Sequence, residues 1–256
     1  MYTAIPLVHG FPGKSHSHGA FGWSSIWLLR NDERRVLIDA GPPAYISLIH
    51  KGLAGVGLTT ADITDVVITH LHWDHVGNFT MYPNATTWVG ENELAWAATL
   101  PAGTAFIPDL HIQELVRRGD HIGRMHPGSE VLPGVNVIAS PGHTPGHLAF
   151  SAETTTGTYI FAGDAVKNVY ELNTLEVDST MDEAASRRSI QRLKSVLRDT
   201  NGLLIPGHDV PLHANGTEFT RIQAQRAHIG FFADDNGEVD RSIAHAEFNC
   251  DESEEA

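Results

Sequence analysis

Within one short stretch the chain reads His70-Leu71-His72-Trp73-Asp74-His75. Three imidazoles and a carboxylate are donors that borderline divalent metals such as zinc accept, and few structural roles call for them together. The apolar run Val66-Val67-Ile68 comes just before, and residues 62–68 read as a short β-branched strand. Side chains two apart on a strand share a side, so His70 and His72 can face one ion. Asp74 and His75 follow in a turn leading to Gly77-Asn78, which aims them at a second position beside the first. The spacing therefore predicts two metals.

Further candidates stand at the ends of other predicted strands. Pro141-Gly142-His143-Thr144-Pro145-Gly146-His147 puts two histidines in a glycine-proline loop, Gly163-Asp164 follows the apolar Tyr159-Ile160-Phe161-Ala162, and Pro206-Gly207-His208-Asp209 follows Leu203-Leu204-Ile205. His16-Ser17-His18 repeats the histidine spacing, but no acidic partner follows, so it reads as part of a loop over residues 9–23 that overhangs the site.

The elements that must carry these residues alternate. Residues 2–8, 24–29 and 35–38 read as strands, the last two forming a hairpin about Asn31-Asp32-Glu33 and ending at Asp39-Ala40-Gly41. Pro42-Pro43 opens a helix to about Leu53, and a capped turn at Leu58 to Asp62 precedes the ligand-bearing strand. Strands over 85–89, 135–139, 148–151, 158–162 and 203–205 and helices over 91–99, 109–118 and 181–198 complete the pattern, the last helix capped by Ser179 or Thr180. Leu94 and Trp96 read as core, and Trp73, between ligands, as packing against the sheet in preference to walling the pocket. Residues 101–130 are broken by Pro101, Gly103, Pro108, Gly119 and Pro127 and read as substrate-facing loops. Residues 209–256 carry one more expected helix and an acidic tail frayed over 249–256.

Composition narrows the classes. The 256 residues, 41% hydrophobic and 19% charged, are ordinary for a globular chain and lead us to expect one domain over 1–256. A formal charge of −14 argues against nucleic acid as a partner. No run of eighteen apolar residues and no basic-then-apolar leader appears, so we expect no membrane span and a cytoplasmic protein. The single Cys250 forms no internal disulfide and suits a reducing compartment.

In order and context, His70, His72, Asp74, His75, His143, Asp164 and His208 resemble the seven-ligand pattern of the metallo-β-lactamase superfamily, over the stretch from Trp23 to Val210. That resemblance implies an α/β fold, a four-layer αβ/βα sandwich with the site at one edge. It implies that His70, His72 and His143 hold one metal and Asp74, His75 and His208 another, with Asp164 bridging. The cofactors implied are two divalent ions, zinc foremost, with manganese, cobalt or iron as alternatives. Antibiotic-degrading members carry a cysteine, or no ligand, where this chain has Asp164. Glyoxalase II adds a helical domain and ribonuclease Z a basic insertion, and neither is visible here. The chain looks most like the small lactonase branch, which includes N-acyl homoserine lactonases.

It departs from that branch at one place. Those lactonases place a tyrosine three residues after the bridging aspartate, where this chain has Lys167. Lys167 is therefore a candidate for holding a substrate carboxylate or assisting the leaving group, and Tyr170 can replace the missing hydroxyl only if its loop turns inward. With Asp74 and Asp164, Lys167 completes the expected catalytic set. The reaction implied is attack of a hydroxide shared by the two ions on a lactone or small ester carbonyl, the water's pKa lowered toward about 7 and Asp164 relaying the proton. Alternatives within the superfamily are a thioester hydrolase like glyoxalase II and an iron-dependent redox or dioxygenase member. A purely structural site is disfavoured, because such sites close one ion with four ligands. The expected partner is a small lactone or ester, with a homodimer compatible.

Overall fold

A computed structural model describes residues 1–15, 18–234 and 237–244. Two sheets dominate. The first runs β1 (Thr3–Val8), β2 (Ile26–Arg30), β3 (Arg35–Ile38), β4 (Asp65–Val67), β5 (Thr86–Gly90) and β6 (Gly123–Met125) side by side. Its first three strands are antiparallel, and β3 to β6 are parallel. The second sheet holds β7 (Glu130–Leu132), β8 (Val135–Ala139), β9 (Leu148–Thr154), β10 (Gly157–Gly163), β11 (Leu203–Pro206), β12 (Leu212–Asn215) and β13 (Glu218–Arg221), with only β10 and β11 parallel.

Both faces of each sheet are covered, so the central strands are near-continuous apolar runs. Alternation along a strand then decides which layer each side chain enters. Trp27 and Leu29 of β2, Val36 and Ile38 of β3 and Val67 of β4 meet Val137, Phe150, Phe161 and Ile205 between the sheets. The intervening Ile26, Leu28, Leu37 and Val66 face outward against α1 (Ile46–Gly55), α3 (Glu91–Ala97) and α4 (Asp109–Arg118), which contribute Ile49, Leu53, Leu94, Ile112 and Leu115. On the other side, Ile160, Ala162 and Leu204 pack against α5 (Val169–Thr174) and α6 (Glu183–Thr200) through Leu172, Ile190, Leu193 and Leu197. The result is the four-layer αβ/βα sandwich. Leu94 is core as expected, and Trp96 packs at its edge.

Three local expectations need correction. The last long helix begins at Glu183, capped by Asp182, whose carboxylate accepts the Ala185 N–H at 2.9 Å. Ser179 and Thr180 are drawn elsewhere: the Met181 and Asp182 N–H groups both donate to Gly142 O, bending that segment against the His143 loop. Residues 101–130 contain β6 as well as α4. Beyond residue 209 the described residues hold no helix but β12, β13 and a separate two-stranded sheet of β14 (Arg226–Asp234) and β15 (Gly237–Ala244). The tail at 249–256 lies outside the described residues.

Candidate metal centre

The segment after β4 stays extended through Ile68, whose N–H donates to Trp88 O. Leu148 N–H donates to Thr69 O at 3.0 Å, joining the two sheets at their edge beside His70. His72 is the extended residue before a single helical turn, α2 (Trp73–Val76), and that turn brings Asp74 and His75 inward. His143 arrives on the loop between β8 and β9, Asp164 at the end of β10 and His208 after β11. At Gly207 a side chain would have no room, since an added Cβ would lie 2.0 Å from Asp164 Oδ1.

All seven predicted side chains converge. In the trios His70, His72 and His143, then Asp74, His75 and His208, and then His70, His75 and Asp164, the donor atoms lie within 4.8 Å of one another. His72 Nδ1 is 2.9 Å from His143 Nε2. Asp164 faces both sides, its Oδ2 3.3 Å from His143 Nε2 and its Oδ1 3.2 Å from both His75 Nε2 and His208 Nε2. Asp74 Oδ2 is 3.5 Å from His208 Nε2.

Behind these atoms a second layer fixes the rings. Asp39 accepts the Thr69 N–H at 2.8 Å and the Thr69 hydroxyl at 2.9 Å, and its Oδ2 faces His75 Nδ1 at 2.8 Å. With Nδ1–H given to a carboxylate, the His75 Nε2 lone pair faces the cluster. The Thr69 hydroxyl, donating to Asp39, accepts from His70 Nδ1 at 3.1 Å and leaves His70 Nε2 facing inward likewise. His147 stands apart: its Nε2 accepts the Asp164 N–H at 3.1 Å and its Nδ1 meets Ser140 Oγ at 2.8 Å, so both nitrogens support the loop. His70 Nε2, His75 Nε2 and Asp164 Oδ1 are buried yet make no aligned hydrogen bond. Buried polar atoms normally find partners. Unbonded imidazole nitrogens and a carboxylate oxygen facing one space fit bound divalent metal.

Electrostatics agree with that fit. Burial holds His70 and His143 well below the usual imidazole range and takes His72 down to about 4 and His147 to about 3. His75 and His208 are buried too, but Asp164 and Asp74, with Asp39 beside His75, outweigh burial and raise both. Burial alone would raise Asp164, yet His208, His75 and His143 hold it well below the usual carboxylate range. The second trio thus sits in a field that favours positive charge.

The cavity over the cluster encloses about 480 Å³ and is lined by His72, Asp74, His143, Asp164 and His208 at its base. Its walls are Pro12, Lys14, Ala20 and Gly22 from the overhanging loop, Trp73, Phe106, and Lys167, Asn168, Asp178 and Ser179 opposite. Trp73 is thereby corrected, since its ring lies against Gly22 and lines the cavity rather than the sheet. Of residues 101–130 only Phe106 reaches the cavity, with a left-handed φ of 67° and its ring 5.6 Å from that of His72. Lys167 lines the wall with its ammonium bonded to Glu171 Oε1 at 2.8 Å and Asp178 O at 2.9 Å. Tyr170 is exposed and bonds to Glu176, outside the cavity. Of the expected histidine pair in the overhanging loop, His16 lies outside the described residues.

Sequence reasoning passed over Asp39, Glu93, Glu171 and Asp209, all buried around the centre. Asp39 and Asp209 left a trace, as acidic residues at strand ends, in Asp39-Ala40-Gly41 and in Pro206-Gly207-His208-Asp209.

A two-sheet α/β sandwich with this histidine and carboxylate cluster at its edge defines a metal-dependent hydrolase. The family model of the metallo-beta-lactamase superfamily matches residues 20–208, and the chain belongs to that superfamily. It is 30% identical over 212 residues to metallo-beta-lactamase domain-containing protein 1 of Homo sapiens, covering 81% of this chain and 70% of that protein. It is 29% identical over 214 residues to an N-acyl homoserine lactonase of Bacillus sp, covering 72% of this chain and 81% of that one. Among solved structures, one from Thermotoga maritima superposes with a TM-score of 0.65 at 22% identity, covering 83% of this chain and 99% of that one. A dizinc quorum-quenching lactonase superposes with a TM-score of 0.66 at 18% identity, covering 78% of each chain.

Proposed function

We propose that this chain is a dinuclear-metal hydrolase that opens a lactone or a small carboxylic ester. The observation that carries this reading is Asp164, whose two oxygens face the histidines of both trios at 3.2–3.3 Å. One trio would hold one divalent ion through His70, His72 and His143, and the other would hold a second through Asp74, His75 and His208, with Asp164 between them. Zinc fits this nitrogen-rich donor set best. Ions bound there supply Lewis acidity toward a carbonyl oxygen and a water acidified toward neutrality.

The chain's own residues do the rest. Asp39 and Thr69 keep the His75 and His70 rings turned so that Nε2 of each faces the reacting space. Asp164 Oδ1 is buried and without an aligned hydrogen bond, and its carboxyl, held well below the usual range by His208, His75 and His143, would stay charged between the two trios. Trp73 and Phe106 offer apolar walls to an acyl or ring substituent. Lys167, held in place by Glu171, sets a positive charge on the wall for the oxygen that leaves. The similarity to N-acyl homoserine lactonases supports a lactone over other carbonyl substrates.

Elemental analysis of purified protein alongside a panel of lactones, simple esters, thioesters and a cephalosporin tests this. Two zinc, manganese or cobalt ions per chain with lactone or ester turnover is the expected result, and His70→Ala or Asp164→Ala should abolish that turnover. Thioester turnover alone would shift the substrate class, and bound iron with oxygen uptake and no hydrolysis would overturn the reading.

A further inference from the structure

Among the buried ionisable groups that the proposed reaction does not use, Glu93 has an unusual position. It lies in α3 beside the core residues Leu94 and Ala97 and is 1% exposed. Burying a carboxyl among apolar neighbours is unfavourable unless its oxygens are satisfied, and burial pushes this one up to about 7. Both oxygens are satisfied by main chain from distant parts of the sequence. Oε1 accepts the Leu71 N–H at 3.0 Å, and Oε2 accepts the Gly146 N–H at 3.0 Å. Leu71 stands between His70 and His72, and Gly146 lies on the same loop as His143.

We propose that Glu93 is a positioning residue that clamps together the two backbone segments bearing His70, His72 and His143, fixing that trio for a divalent cation. The inference rests on the reading of that trio as one metal's ligands. Apart from the ligand rings themselves, where His72 Nδ1 meets His143 Nε2 at 2.9 Å, the nearest link among the described main-chain hydrogen bonds is Leu148 N–H to Thr69 O, on the far side of His70. The fit is close enough to exclude any side chain at Gly146, where an added Cβ would sit 2.3 Å from Glu93 N. A leucine would suit the surrounding core better but would leave two buried N–H groups without acceptors. Glutamine fills the same volume with one acceptor oxygen and an NH₂, so one of the two backbone donors would face another donor.

Groups that orient metal ligands from behind typically contribute 10–100-fold in metal affinity. The experiment is equilibrium zinc titration of metal-free protein against a competing chelator, in two backgrounds. His208→Ala breaks the second trio, and His72→Ala breaks the first. Adding Glu93→Gln should weaken zinc binding about 10–100-fold in the His208→Ala background and leave it unchanged in the His72→Ala background. A change of general stability would lower both alike. Equal losses in the two backgrounds, or no loss in either, would overturn the role of Glu93 alone. Unsubstituted protein that binds no zinc would overturn the ligand assignment beneath it.

Should Glu93→Gln fail to fold without metal, the same comparison passes to Glu93→Asp, whose carboxylate is one methylene too short to reach both segments. Hydrogen exchange on the His208→Ala protein supplies a measurement that leaves Glu93 in place. The Leu71 and Gly146 amides should gain protection together when zinc is added, and unchanged protection at both would sink the proposal.

Discussion

Lys167 lies three residues after Asp164 on the cavity wall, and its surroundings constrain what it can do. The ammonium is committed to Glu171, a carboxylate almost wholly buried, and to the Asp178 carbonyl. A free lysine on a loop could be removed at little expense, whereas this one leaves a buried carboxyl without its partner. Lys167→Met should therefore destabilise the fold by about 3 kcal/mol, as removal of one member of a buried pair does. Adding Glu171→Leu should recover part of that loss, measured by urea unfolding. The pH dependence has a definite sign. Burial already raises the Glu171 carboxyl, and the Lys167 charge is the chief influence holding it down. Without Lys167 the folded state binds that proton still more tightly than the unfolded chain. Stability is then kept at low pH and lost as pH rises above the ordinary carboxyl range. The defect of Lys167→Met should be larger at pH 8 than at pH 5; the reverse order would mean Glu171 is not the group left exposed to the loss. Sequence singled out Lys167 by its place after Asp164, but Glu171 was invisible, because an acid four residues along a helix usually points to solvent.

The elements of the centre are strand ends followed by tight turns, and the turns set the tolerances. Gly207 is the narrowest of them. Between Pro206 at the end of β11 and His208, its Cα passes so near Asp164 that any side chain would overlap Oδ1. Gly207→Ala should displace either Asp164 or the His208 loop. Overpacking of this kind costs about 2 kcal/mol. Activity should suffer far more, with kcat/KM down at least 100-fold, about the effect of misplacing reacting groups by an ångström. A variant with the unfolding loss but full activity would show that Asp164 can move without consequence. The strand-end histidines were legible because ligand type and β-branched flanks coincide in sequence. The cap of α6 was not, since Ser179 and Thr180 are good caps that tertiary bonds from Met181 and Asp182 to Gly142 pull away from the helix start. Nor was β6, a three-residue strand whose Gly-Arg-Met sequence carries no strand signal and which is held in place by pairing with β5.

At the level of the whole molecule, the centre joins the two sheets through residues drawn from both. His70, His72, Asp74 and His75 follow β4 of the first sheet, while His143, Asp164 and His208 come from loops of the second. A ligand that binds only the folded form stabilises it by mass action, by about 4 kcal/mol when its free concentration is a thousandfold above its dissociation constant. Chelation should therefore lower the thermal midpoint, and added zinc should raise it progressively in a concentration-dependent way. His208→Ala and His72→Ala should each flatten that dependence.

The hairpin of β14 and β15 gives the opposite expectation. Among the described residues it forms a two-stranded sheet of its own, and it contributes no residue to the cavity lining described above. Isolated two-stranded sheets are marginally stable in water, so the hairpin lends the sandwich little stability. The expected helix in this region failed for a related reason: residues 226–234 alternate in exposure as far as Gly230, a period of two rather than the helical 3.6. Ending the chain after Gln225 keeps β12 and β13, which close the second sheet beside β11. That shortened protein should melt within about 2 °C of the full chain and bind the same amount of zinc. A much larger fall in the midpoint would mean the hairpin packs against the sandwich or against a second copy, and comparing the two proteins by sedimentation would decide between those.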